Sequence, residues 1–204
     1  LLLGFLRGPA AAPGADYDPR RLAAMIAVAT LPAGVAGLLG EELIATQARN
    51  PLLIAGTMIG YGLLLGIADR VGARRLELAH IGWGAALAIG VAQALALVPG
   101  TSRSGVTITA ALFLGLTRPA AARFSFLLVV PISLAVAALD LYKLATGEIP
   151  PDRLAPMAFG VAVSAVTGYL VIAWFLAWLR RRSLLPFVVY RLLLGAAILV
   201  LWAY

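Results

Sequence analysis

The sequence contains no cysteine, a single histidine and little charge. The absence of cysteine excludes disulfides, thiolate metal sites and a cysteine nucleophile. Only 12% of the 204 residues are charged and 62% are hydrophobic, with a mean hydropathy of +0.98. Because about a quarter of the residues in a soluble domain are charged, this composition indicates an integral membrane protein. The uncharged runs are too long for the alternating strands of an outer-membrane barrel, so the sequence predicts an all-α polytopic bundle.

Stretches free of Asp, Glu, Lys and Arg mark the candidate membrane spans. A bilayer core of about 30 Å needs roughly 20 helical residues. Six stretches are predicted to span: 22–40, 50–68, 78–102, 124–139, 154–179 and 183–204, the last interrupted only by Arg191. A seventh stretch, 104–117, is too short to span, and residues 1–19 predict a loop that enters the first span.

The positions of the arginines predict the orientation of the spans. Short loops rich in Arg and Lys tend to stay cytoplasmic, and all but one of the 16 basic residues are Arg. The clusters at 20–21, 70–75 and 180–182 are therefore expected inside, and the loops at 41–49 and 141–153 outside. The net charge of +7 is interpreted as a topology signal and not as a sign of nucleic-acid binding.

This orientation makes residues 80–117 a single broken or re-entrant helical hairpin, because both of its ends must lie inside. Its tip is the sequence PGTSRSG at 99–105. Irregular backbone at membrane depth is tolerated only around a cavity lined by protein or water, and such hairpins are typical of inverted-repeat folds. The tip is therefore the predicted functional site.

Arg103 is the most informative residue of the tip, because an Arg inside an apolar segment costs several kcal/mol and indicates an anionic partner. The hydroxyls of Ser102 and Ser104 flank it, and Gly100 and Gly105 let backbone N–H groups approach a ligand closely. The helix expected after the tip directs its free N–H groups back toward it. Together with the planar guanidinium, these groups predict a phosphate cradle that stabilises charge on a transferring phosphoryl group.

Further residues near the tip are predicted to bind the substrate, although their side chains indicate a less specific chemistry. The full predicted substrate-binding set is Gly100, Thr101, Gly105, Thr107 and Gln93. Gln93 either lines the cavity or forms a hydrogen bond between helices. A simpler alternative for the whole tip is ordinary N-capping by the hydroxyl residues, with the arginine at the level of the lipid headgroups.

Other polar residues give weaker signals. His80 is interpreted as a structural residue near the inner face. Asp140 is a candidate for pairing with Arg103 or a lysine, for capping or for holding a cation. Glu41 and Glu42 would diverge by about 100° on a helix and are expected in a solvated loop.

Two residues within the span 124–139 predict features of its helix. Pro131 predicts a kink. Ser125 predicts a hydrogen bond to a neighbouring helix.

The order of these motifs resembles a known family. The residues concerned are QALALVPGTSRSGVTI at 93–108, LGLTR at 114–118, ARFSFLL at 122–128 and LD at 139–140. They are similar to the second signature of the bacterial undecaprenyl-diphosphatase (bacitracin-resistance) family. The similarity extends more loosely from about residue 22 to the C-terminus.

The resemblance implies a multi-pass enzyme of the bacterial plasma membrane with two broken hairpins. It would hydrolyse undecaprenyl diphosphate to undecaprenyl phosphate at an outward-facing site, recycling the carrier lipid of cell-wall synthesis and conferring bacitracin resistance. A divalent cation, Mg²⁺ or Ca²⁺, is implied. Arg103 would be the essential phosphate-binding residue and Ser102 and Ser104 its hydroxyl partners. The expected partners are the polyprenyl diphosphate and the membrane, with a homo-oligomer left open.

One part of the family pattern is missing from this sequence. Members also carry an upstream signature, E-G-x-x-E-F-L-P-x-S-S-T-G-H, whose glutamates and histidine serve metal binding and phosphoryl chemistry. Residues 1–204 are therefore expected to be one transmembrane domain, the C-terminal portion of a longer protein, in which the nucleophile and the metal ligands stay open. The alternatives are a protein that binds or transports polyprenyl phosphate without hydrolysis, and an inactive fragment.

Overall fold

The computed structural model describes residues 18–47 and 50–203. Within these ranges the regular structure is helical, apart from one isolated bridge between Leu76 and Leu116. The α-helices are α1 (Pro19–Gln47), α2 (Pro51–Val71), α3 (Trp83–Ala94), α4 (Arg103–Phe113), α5 (Arg118–Leu127), α6 (Val129–Ala145), α7 (Leu154–Leu179) and α8 (Leu185–Ala203). The predicted all-α class is confirmed. The predicted loop at 1–19 falls almost entirely outside the described residues.

Within the described ranges, five helical stretches are long and apolar enough to cross a membrane: α1, α2, α5 continued by α6, α7 and α8. The chain is therefore a multi-pass membrane protein. The prediction of a sixth span at 78–102 is wrong. Helix α3 ends at Ala94 after 12 residues, which cover only about 18 Å, and a 3₁₀ turn continues to Leu97. The apolar run persists beyond this point, but Pro99 cannot continue a helix.

Helices α3 and α4 are the two arms of a hairpin, and α1 supports the first arm. Gly90 of α3 lies directly on Ala29 of α1: a Cβ added at Gly90 would overlap the Ala29 carbonyl oxygen and lie 2.7 Å from its Cα. Small residues let helix backbones approach this closely inside a membrane. The hairpin is thereby held at a fixed depth along α1.

Helix α2 lies between the hairpin and α8, and it runs antiparallel to α8. Near its start, Ala55 faces Gly195, and further along, Gly66 faces Val188. Between these contacts, Gly62 lies against Arg191, whose Cβ is 3.2 Å from the position of an added Cβ. The glycines thus make room along this interface for a bulky cationic side chain.

The inner ends of four helices are tied together, three of them by Asp69. Its carboxylate forms a two-point ion pair with Arg118, in which Nη2 donates to Oδ2 at 3.0 Å. The same Oδ2 accepts the N–H of Leu184 at 3.1 Å, and Gly115 accepts the N–H of Leu76 at 3.0 Å. The end of α2, the end of α4 and the starts of α5 and α8 therefore lie at one side, as the arginine clusters predict.

Helices α5 and α6 form one span with a break at Leu128. Pro131 has no N–H to donate to the carbonyl of Leu127, four residues earlier, so the predicted kink is confirmed. The Ser125 hydroxyl lies 2.7 Å from the Thr107 hydroxyl of α4, which confirms its predicted hydrogen bond to a neighbouring helix.

The prediction of a loop around Glu41 and Glu42 is wrong for the backbone. Helix α1 continues through both residues to Gln47, since charged side chains at the end of a span can extend a helix into water. The side chains of Glu41 and Glu42 lie outside the described residues.

We predict that Gly90→Ala destabilises the protein by about 1–3 kcal/mol, because the added methyl must push α1 away from α3. Thermal unfolding in detergent measures the change. Gly84→Ala is the matched control on the same helix, since nothing lies within 4 Å of its added Cβ, and it should be neutral or slightly stabilising. Equal effects of the two substitutions would contradict the close packing of α1 on α3.

Candidate functional site

The backbone at the tip of the hairpin has a conformation that few residue types can adopt. Gly100 has a φ of +88° and Ser102 a φ of +65°. A Cβ at Gly100 would overlap the Thr57 hydroxyl and lie 3.0 Å from the Cα of Ile54. A serine with positive φ stores backbone strain, which is typical of ligand sites. Glycine is therefore required at residue 100, both by its φ and by the close approach of α2.

Side chains of neighbouring segments hold the carbonyl groups of the tip. The Thr57 hydroxyl of α2 donates to the Pro99 carbonyl at 2.7 Å, and Nη2 of Arg191 in α8 donates to the Gly100 carbonyl at 2.8 Å. Within the tip, the Thr101 hydroxyl donates to the Val98 carbonyl at 2.7 Å. Two separate membrane helices thus fix the position of the turn.

Arg103 is the first residue of α4 and is half-buried. Its Nε donates to Oε1 of Gln93 on the opposite arm at 3.2 Å, and Gln93 is only 3% exposed. The structure thus joins two predicted site residues that stand ten positions apart. Since Gln93 is neutral, it orients the guanidinium without cancelling its charge.

The hydroxyl residues divide into two groups. Ser102 and Ser104 are exposed at the start of α4, where the Ser102 hydroxyl accepts the N–H of Gly105 at 3.2 Å. Thr101 and Thr107 are buried beneath the tip, and the Thr107 hydroxyl donates to the Arg103 carbonyl at 2.9 Å. The serines are accordingly placed to meet a ligand, and the threonines support the loop.

All residues predicted for the site lie at this tip or directly beneath it: Gln93, Gly100, Thr101, Ser102, Arg103, Ser104, Gly105 and Thr107. Their predicted roles in catalysis and substrate binding stay predictions.

Sequence reasoning missed Arg191 as a site residue. It is 8% exposed and lies in the middle of a membrane helix. The signal was available, because the cost of an arginine inside a span applies to it as much as to Arg103.

Three buried nitrogens of the site have no acceptor within the described part of the chain: Nε2 of Gln93, Nη2 of Arg103 and Nε of Arg191. Leaving a buried donor without an acceptor costs about 1–3 kcal/mol. All three are donors, and two belong to guanidinium groups. The site is therefore suited to an anion with several oxygen acceptors, such as a phosphate.

The residues of the tip do not fit a divalent cation. Among the side chains that the structure describes, no three of His, Asp or Glu gather in one place. His80 is exposed at the inner end, before α3, and Asp140 is exposed on α6. The ion pair of Asp69 with Arg118 does not involve Asp140. Two guanidinium groups would repel a metal ion, so no role at the tip is derived for one.

The depth of the tip follows from its contact with α2. Thr57 lies six residues after Pro51 and fourteen before Val71, or about 9 Å from the first end of the helix and about 21 Å from the second. The second end carries Asp69 and the inner arginines. The tip accordingly lies nearer to the first end of α2 than to the end that carries Asp69, and the predicted orientation places it in the outer half of the span.

The comparison with known proteins agrees with this site. A family model described as "Bacitracin resistance protein BacA" matches residues 3–197. The chain belongs to the BacA family. This match includes the whole hairpin and all of the residues gathered at its tip.

Curated relatives in the BacA family support the assignment. Undecaprenyl-diphosphatase of Magnetococcus marinus is 49% identical over 177 residues, which are 87% of this chain and 66% of the relative. Undecaprenyl-diphosphatase 2 of Stutzerimonas stutzeri is 50% identical over 186 residues, 90% of this chain and 68% of the relative. Undecaprenyl-diphosphatase of Alcanivorax borkumensis is 50% identical over 182 residues, which are 89% of this chain and 68% of the relative. The chain thus spans about two thirds of the length of these relatives.

The depth of the tip predicts that Ser104→Cys reacts with a membrane-impermeant maleimide added from outside. The chain has no cysteine of its own, so labelling reports one position. Ala73→Cys, exposed at the inner end, should react only after permeabilisation. Thr101→Cys is a second control, since residue 101 is 1% exposed and should react slowly from either side. Labelling of Ser104→Cys only from the inside would contradict the outward-facing tip.

Proposed function

We propose that this chain supplies the phosphate-binding part of an undecaprenyl-diphosphatase site in the bacterial plasma membrane. The reaction is hydrolysis of undecaprenyl diphosphate to undecaprenyl phosphate and phosphate. It recycles the carrier lipid of cell-wall synthesis and thereby confers bacitracin resistance. Membership of the BacA family and about 50% identity to proteins named undecaprenyl-diphosphatase support the proposal.

The observation that carries the proposal is the environment of Arg103. A guanidinium is held inside the membrane by the neutral Gln93 amide, with Nη2 left without an acceptor among the described residues. Because the tip supplies no carboxylate to this arginine, its charge remains available to an anionic headgroup. The apolar spans around the tip suit the prenyl chain of the same substrate.

The chemistry of these groups suits phosphoryl transfer. The guanidinium of Arg103 binds oxygens of the terminal phosphate and stabilises the charge that develops on them in the transition state. The first N–H groups of α4 have no acceptor within the helix and point toward the same anion. Ser102 and Ser104 orient a phosphate oxygen or the attacking group by hydrogen bonds.

A divalent cation remains part of the proposal only through the family resemblance. The described donors at the tip suit the anion and not the metal. We therefore propose that its ligands are phosphate oxygens together with acidic residues outside the tip.

We expect Arg103→Ala to lower phosphate release from a C55 or shorter polyprenyl diphosphate by at least about 100- to 1000-fold, because one preorganised donor to the transition state is lost. The assay uses purified protein in detergent, with the chain extended by the upstream signature segment of a relative. Arg70→Gln is the control, since Arg70 is exposed at the inner end and its loss should leave turnover unchanged.

Near-normal turnover of Arg103→Ala would refute the role of Arg103. A second result would favour the transport alternative over hydrolysis: exchange of labelled lipid across vesicles without any release of phosphate.

The same assay, run with Mg²⁺ or Ca²⁺ and with a chelator, tests the proposal about the cation. We expect the 204-residue chain alone to release no phosphate under either condition, and the extended protein to release it only with the cation. Cation-dependent release by the 204-residue chain would show that its own residues suffice, and Asp140, Glu41 and His80 would become the candidates.

A further inference from the structure

Arg191 reaches the first turn of α4 as well as the carbonyl of the tip. A guanidinium carries five N–H donors in a planar fork. Among the described residues, Nη2 of Arg191 donates to the Gly100 carbonyl at 2.8 Å, and Nε is buried without an acceptor. Its Nη1 lies 3.5 Å from the position that a Cβ on Gly105 would occupy. The Ser102 hydroxyl lies 3.2 Å from the same position. Nη1 of Arg191 and the Ser102 hydroxyl therefore lie close together beside Gly105, over the start of a helix.

Two independent observations indicate that these groups bind an anion. Arg191 is more than nine-tenths buried, and its Nε has no acceptor within the described residues. The same groups adjoin the N-terminus of α4, an 11-residue helix whose first N–H groups favour negative charge.

Arg118, at the inner end, is an example of an arginine with a purely structural role in this protein. Arg118 is held at two points by the carboxylate of Asp69. Arg191 has instead a single neutral acceptor, the Gly100 carbonyl. A side chain needed only to hold the turn would require one donor, as Thr57 provides for Pro99, and would not require a buried charge.

We propose that Arg191, with Ser102 and the first turn of α4, forms a second phosphate subsite beside that of Arg103. The two arginines then bind the two phosphoryl groups of one diphosphate headgroup. Arg103 with Gln93 holds one group, and Arg191 across Gly105 holds the other. This inference rests on the proposed function and adds to it the basis for preferring a diphosphate to a monophosphate.

A two-subsite clamp has a consequence that a structural arginine would not have. Loss of Arg191 should weaken binding of a ligand with two phosphoryl groups and leave binding of a single phosphate almost unchanged, because the Arg103 subsite remains. Damage to the shape of the tip would weaken both ligands alike. The ratio of the two affinities therefore separates the two roles.

The experiment measures equilibrium binding of inorganic pyrophosphate and of inorganic phosphate to the purified 204-residue chain in detergent, so it does not depend on catalysis. For Arg191→Gln we expect the pyrophosphate affinity to fall about 10- to 100-fold and the phosphate affinity to change by less than about threefold. Arg191→Lys keeps a cation and a donor for the Gly100 carbonyl but lacks the planar fork of donors. Its affinity for pyrophosphate should therefore fall about tenfold. Arg70→Gln is the control for removal of an arginine charge far from the tip.

The second subsite would be overturned if Arg191→Lys lowered the affinities for pyrophosphate and phosphate equally, or lowered neither. Thermal unfolding checks that each variant is folded, and Arg191→Lys decides the question if Arg191→Gln does not fold. Loss of pyrophosphate binding in Arg103→Ala together with unchanged binding in both Arg191 variants would overturn the second subsite and leave the proposed function intact. No binding of either ligand by the wild-type chain would overturn the two subsites together.

Discussion

The hydrogen bonds that Thr57 and Arg191 donate to the carbonyls of Pro99 and Gly100 are the contacts on which the site depends. A turn placed inside a membrane leaves backbone carbonyls that water cannot reach, and each one costs several kcal/mol unless a partner is found. Here α2 and α8 each supply a donor. The broken hairpin is therefore stable only where these two helices meet, and this requirement fixes both its depth and its orientation.

The close approach of α2 and α8 depends in turn on small residues. Gly62 and Gly66 of α2 and Gly195 of α8 lie against side chains or backbone of the opposite helix. Without an excess of hydrophobic burial to drive association in lipid, such close packing supplies much of the attraction between helices. At the inner end, the Asp69 carboxylate joins α5 to α2 and α8. One half of the bundle holds the site, and the half that contains Asp69 holds the helices together.

The sequence predicted the helical class, the hairpin and the residues of its tip because these depend on local features. A run of apolar residues, a Pro-Gly pair and an isolated Arg103 each carry their own physical cost, which can be assessed without knowing the fold. The span predicted at 78–102 was wrong because a count of uncharged residues ignores where Pro99 ends the helix. The contact between Thr57 and Pro99 joins residues 42 positions apart, and no local pattern marks that pairing.

The role of Arg191 could be predicted from the sequence only in part. Its cost inside a span was visible in the sequence, but its meaning depends on which part of the chain lies beside it. Once α8 is packed against α2, the guanidinium meets the Gly100 carbonyl, and the isolated charge becomes part of the tip.

The partners of the arginines explain how one membrane protein can use the same residue type in two ways. Arg118 is paired with a carboxylate, so the pair carries no net charge and little attraction for an outside anion. Arg103 and Arg191 have an amide oxygen and a carbonyl oxygen as their acceptors. Such neutral acceptors fix the orientation of a guanidinium but leave its full charge in a medium of low dielectric, where its field is strong. The donors without acceptors at the tip are satisfied by a ligand that brings negative charge and oxygen acceptors. This requirement is the physical basis of the proposed binding of a diphosphate.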